Sequence, residues 1–169
     1  MYLQLAHPNI IFRYIRFRGG IDSNVVDNAT PGTTNVRGRG DITNQIFDHC
    51  SFSYGIGAAG WYEQGPTSSV GNLTVQRCLF AEAQRGGLAG GGSGQGTTTL
   101  PYTYAFNAFY NLMHRIPNVT GDDGRADVIN NIGYNMLNRV VNVFGSLNLN
   151  HIGNYYDYGN TLVNDYKMC

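Results

Sequence analysis

Short apolar segments recur along this chain, each interrupted by a polar residue. The clearest is residues 46–53, IFDHCSFS. Degenerate copies follow at 73–80 (LTVQRCLF), 104–109 (YAFNAF), 128–132 (VINNI) and 150–156 (NHIGNYY), and an earlier one, 11–17 (IFRYIRF), starts 35 residues before the first. Aligned, one column reads Cys50, Cys78, Asn107, Asn131 and Asn154, with steps of 28, 29, 24 and 23 residues. A period in the twenties built from short strands is the mark of a solenoid. No strand of this length buries its apolar face alone. Coils stacked about 4.8 Å apart pair each backbone N–H with the next coil and line up like side chains in ladders. The pattern therefore predicts an all-β, right-handed parallel β-helix of about six coils, forming a single domain over residues 1–169.

Within that frame, residues 9–18 read as a strand pair, and residues 42–54, 70–82, 102–111, 125–135 and 147–156 as coils. Residues 21–40, 55–69 and 86–99 read as excursions, the last with seven Gly. Asn107, Asn131 and Asn154 are expected to stack inside one turn, with Phe52, Phe80 and Phe109 as an apolar ladder beside them. Cys50 and Cys78 fall on adjacent rungs. Stacked coils bring them within disulfide reach, although buried thiols packing as small apolar groups satisfy the same spacing. The chain begins and ends beside a coil, so terminal coils or caps are expected to be missing. Open ends of that kind invite self-association or a covering partner.

Composition narrows the function. The 11 basic and 11 acidic residues balance, which argues against a nucleic-acid partner. No apolar run is long enough to cross a membrane. Three Cys without a paired C-x-x-C spacing give no zinc site. The 19 Asn and 23 Gly suit a chain that turns a corner every few residues, because both accept left-handed backbone conformations. Ten of the 11 basic residues are Arg, whose planar fork matches carboxylates. Asp48 and His49 form the sharpest polar pair. Strand neighbours point to opposite faces, so the two side chains are expected not to cooperate.

These stretches carry a family resemblance. Residues 9–18 (NIIFRYIRFR), 46–53 (IFDHCSFS), 75–82 (VQRCLFAE), 114–117 (HRIP) and 128–135 (VINNIGYN) are similar, in the same order, to motifs of the bacterial pectate lyases, polysaccharide lyase family one. The resemblance implies a secreted or extracellular enzyme that opens polygalacturonate, an acidic polysaccharide, by β-elimination. It makes Arg115 the base and places Arg85, His114, Asp48 and His49 at or near the substrate. It also implies calcium, with ligand positions at Asn35 and Glu63. Two positions depart from the family pattern. Thr120 stands where the R-x-P-x-x-R motif has its second Arg, and Asn35 where a carboxylate is expected. The departures keep open a second class, a non-catalytic carbohydrate-binding β-helix of the tail-spike or adhesin type. A glycoside hydrolase on this fold needs two carboxylates facing across a cleft, and no predicted strand carries such a pair.

Overall fold

The computed structural model describes residues 3–18, 35–38, 42–54, 70–89, 101–120 and 124–159. In chain order its strands are β1 (Leu3–Leu5), β2 (Ile10–Arg13), β3 (Arg16–Arg18), β4 (Val36–Gly38), β5 (Ile42–Asp48), β6 (Ser51–Ser53), β7 (Val70–Gln76), β8 (Leu79–Arg85), β9 (Leu88–Ala89), β10 (Tyr102–Ala105), β11 (Ala108–His114), β12 (Asn118–Thr120), β13 (Arg125–Ile129), β14 (Ile132–Tyr134), β15 (Asn142–Phe144), β16 (Asn148–Ile152) and β17 (Tyr155–Asp157). There is no helix among the described residues. One face is the six-stranded sheet β2-β5-β7-β10-β13-β16, and the second is β3-β6-β8-β11-β14-β17. The third consists of two groups, β1-β4 and β9-β12-β15. The pairings are parallel throughout. The described residues form a parallel β-helix of six stacked coils, with the core enclosed by the three faces.

Inward positions build the core by register. On the first face Gln45, Leu73, Tyr102 and Ala126 stack and are all buried. On the second face Phe17, Phe52, Phe80 and Phe109 stack ring on ring at 4.9, 4.8 and 5.0 Å, the spacing that parallel strands impose. The phenylalanine column stops at Gly133, where a Cβ would meet Met136 Sδ at 2.7 Å and Tyr156 Cδ1 at 2.8 Å. Those two side chains fill the space that a fifth ring would need.

The corner between the first two faces is made by one residue per coil in the left-handed region: Tyr14, His49, Arg77, Phe106, Asn130 and Gly153, at φ from 51° to 66°. Gly and Asn adopt this conformation readily, whereas the bulky members do so at a cost of about 1–3 kcal/mol each. Contacts along the column hold them. The Tyr14 and His49 rings lie 5.1 Å apart, and the Arg77 guanidinium sits 5.8 Å from the Phe106 ring centre. After the corners from His49 onward the next residue points inward, and there the expected asparagine ladder forms. Asn131 Oδ1 accepts from the Asn107 backbone N–H (2.9 Å) and from Asn107 Nδ2 (3.0 Å). Asn131 Nδ2 donates to Tyr104 O and Asn154 Oδ1, both at 2.9 Å. Cys78 and Cys50 continue the column, Cys78 donating its N–H to Asn107 Oδ1 and Cys50 its own to Cys78 Sγ.

Two further amide ladders run on the outside. Asn72 donates to Asn44 and Asn44 to Asn9, each at 2.8 Å. Asn135 donates to Asn111 (2.6 Å) and Asn111 to Glu82 (2.7 Å). All six residues have positive φ, so each ladder marks a bend repeated in register from coil to coil. Replacing Asn131 with Leu should cost on the order of 1–3 kcal/mol for each buried polar group it orphans. Asn44→Gly, on an exposed ladder and at a positive φ that glycine accepts, should cost less, about 1 kcal/mol. Urea unfolding of the two variants checks the contrast.

Candidate functional site

Asp48 and His49 do cooperate, against the expectation from strand geometry. The strand ends at Asp48, and His49 occupies the left-handed corner at φ 55°. That turn swings the imidazole back, and its Nδ1 lies 2.8 Å from Asp48 Oδ1. Asp48 is buried by its partners. Arg13 Nε from the coil before lies 2.9 Å from Oδ2, while Gln76 Nε2 (3.2 Å) and Arg77 (3.6 Å) from the coil after approach Oδ1. Burial alone would raise this carboxyl's pKa. The His49 hydrogen bond and charge, together with Arg13 and Gln76, outweigh it and hold the pKa below the ordinary value. The carboxylate thus ties three coils together and is fully occupied in doing so.

The second cluster forms where strands β8 and β11 end. Arg85 and His114 are register partners at those ends. Arg115 follows at φ 63°, and the next peptide, Ile116–Pro117, is cis. Backbone bonds lock this turn to the coil before it: Gly86 N–H donates to His114 O (3.0 Å) and Gly87 N–H to Arg115 O (2.8 Å). A Cβ at Gly86 would lie 2.6 Å from Arg115 O, so the close approach that fixes Arg115 requires glycine there. Arg139 comes from the following coil. Burial, and then the charges of Arg115, Arg85 and Arg139, push the His114 pKa down from 6.5 to about 4. Its Nδ1 is buried without a hydrogen-bond partner among the described residues. Arg85, Arg115 and Arg139, from three successive coils, thus lie near enough to His114 to depress its pKa.

Of the two implied calcium ligands, only Asn35 is among the described residues. Asn35 is buried, its Nδ2 donating to Ser53 O at 3.0 Å, so its amide faces the interior. Glu63 lies outside the described residues. Among the described residues no three His, Cys, Asp or Glu side chains come together, and a hard cation needs several oxygen ligands. The described residues therefore do not fit a calcium site. Cys50 and Cys78 are free and buried. Burial first of all pushes the Cys78 thiol up to about 12, leaving it inert.

Sequence reasoning singled out Arg85, His114 and Arg115 but missed Arg139, Arg13 and Arg77. Arg139 carries no repeat signal, lying in an irregular turn. Arg77 could have been found as the position aligned with His49, one step before the Cys column. No protein-family model matches the chain, and no curated protein matches it.

Both clusters set a pH dependence. The His114 pKa is lowered, so the stability it permits is complete above about 6.5, falls as pH drops between about 6.5 and about 4, and then levels. The Asp48 pKa is also lowered, so its contribution is present above the ordinary carboxylate value and is lost as pH falls through the folded-state value. Urea midpoints measured from pH 7 to pH 3 should therefore fall in two stages. His114→Gln should flatten the first, and Asp48→Asn should lower the midpoint already at pH 7.

Proposed function

We propose that this chain binds an acidic polysaccharide of the polyuronate class at the Arg85–His114–Arg115–Arg139 cluster and opens it by β-elimination. The observation that carries the reading is the placing of Arg85, Arg115 and Arg139, from three successive coils, close enough to His114 to depress its pKa. Guanidiniums pair with carboxylates through two parallel hydrogen bonds. The resemblance of residues 9–18, 46–53, 75–82, 114–117 and 128–135 to pectate lyase motifs supports the same class.

In the reaction a base takes the proton from C5, beside the sugar carboxylate. The electron pair of that C–H bond becomes the C4–C5 double bond. The bond from C4 to the glycosidic oxygen breaks, and the departing oxygen takes a proton. Negative charge builds on the carboxylate as the C5 proton leaves, and fixed cations around it stabilise that charge without reorganising. The family resemblance assigns the base to Arg115. Arg85 and Arg139 are the groups to hold the carboxylate.

The binding-only reading rests on a specific observation. Thr120 replaces the second Arg of the motif, and the described residues hold no acidic metal-binding cluster. One assay separates the two. Polygalacturonate is incubated with the protein, and the ultraviolet absorbance of the unsaturated product is followed. Elimination is expected. Arg115→Lys should lower turnover by about a hundredfold or more with an unchanged melting temperature, and Arg85→Ala should raise KM more than it lowers kcat. Binding without any absorbance change from any uronan establishes the non-catalytic reading instead.

A further inference from the structure

On the second face the phenylalanine column points inward, so the residues on either side of it point outward. By register they form two outer columns, with one residue from each coil. The first runs Arg16, Ser51, Leu79, Ala108, Ile132, Tyr155, and the second Arg18, Ser53, Ala81, Tyr110, Tyr134, Asp157. We infer that this surface is an interface with a second copy of the chain, the two copies packing face to face about a two-fold axis parallel to the strands. The inference is independent of the polysaccharide reading.

Size and charge along the columns carry it. Ile132, Tyr134 and Tyr155 are each more than half exposed, an apolar grouping that marks an interaction surface. The Tyr110 and Tyr134 rings lie parallel with centres 6.0 Å apart, forming a ridge across two coils. Ser53 and Ala81, at 4% and 6% exposure, are recessed in the same column. A two-fold axis along the strands reverses the order of the coils, so the first coil of one copy faces the last of the other. It lays the Tyr110–Tyr134 ridge over the Ala81–Ser53 recess of the second copy. In the neighbouring column Leu79 meets Ala108, and Ile132 meets Ser51. Each large side chain faces a small one, and each match occurs twice because the interface is isologous. At the ends Asp157 meets Arg18, whose guanidinium is anchored on the face by Ser51 O and Oγ, and the Tyr155 ring meets Arg16, a cation–π pair. The apolar centre supplies the affinity, and the charges at the rim set the register. A uronate chain laid on the same surface would meet Asp157 with like charge, so a second copy is the occupant that fits.

The test is sedimentation equilibrium of the full chain from about 1 μM to about 1 mM, the range in which interfaces of modest size associate. The mass should rise from one chain to two and stop there. Arg18→Glu and Asp157→Arg each set like charges against one another at both ends, and each should weaken the dimer at least about tenfold. The double variant Arg18→Glu/Asp157→Arg exchanges the charges and should restore most of the loss. Ile132→Lys, at an exposed outward position, should abolish the dimer with an unchanged melting temperature. A monomer at every concentration, growth beyond two copies, or a double variant no stronger than the single ones overturns the inference. If either charge variant lowers the melting temperature, Ile132→Lys decides alone, and a dimer that survives it overturns the inference.

Discussion

Everything in this molecule depends on hydrogen bonding between one coil and the next in strict parallel register. Strands of two to seven residues have no independent stability. Each exists because its neighbours above and below satisfy its backbone. The register is enforced at the corners, where a left-handed residue repeats in every coil and the next side chain turns inward to bond the coil before it. The Asn107–Asn131–Asn154 column is valuable because an amide both donates and accepts, so one side chain closes the gaps that a bend opens in the backbone ladder.

The two polar clusters are products of the same repetition, with opposite outcomes. At Asp48 a carboxylate stands among cations contributed by neighbouring coils, and the charges neutralise one another. At His114 the stacked positions add like charge to like charge. Backbone bonds from Gly86 and Gly87 hold the turn in place.

The sequence made most of the fold legible, and particular residues show why. The apolar copies from Ile46 to Tyr156 carry a repeat long enough to align, and the strands of the first two faces fall on it. The third face escaped notice. Leu88–Ala89 sits at the start of a stretch that composition marks as loop. Strands of two or three residues show no alternation to detect. The outer ladders escaped because Asn44, Asn72, Asn111 and Asn135 read as ordinary turn formers until the register placed them one above another. The His49 contact was misjudged because alternation holds within a strand and fails one residue past its end. The cation cluster was only partly legible. Arg85 and His114 share a rung, which spacing can reveal, whereas Arg139 arrives through an irregular turn that only three-dimensional packing positions.

The interior asparagine column has a direction. Each side chain looks backward: Asn131 takes the N–H of Asn107 and serves the carbonyl of Tyr104, and Asn154 does the same for Asn131 and Val128. A coil is thus completed by the one that follows it, rather than by the one that precedes it. Peeling a coil from the N-terminal end leaves the remaining amides with their forward partners. Peeling one from the C-terminal end exposes the coil beneath it with an unanswered N–H and carbonyl. The β-helix is therefore a polar assembly, like a filament with unlike ends, and its two ends differ in how readily they come undone.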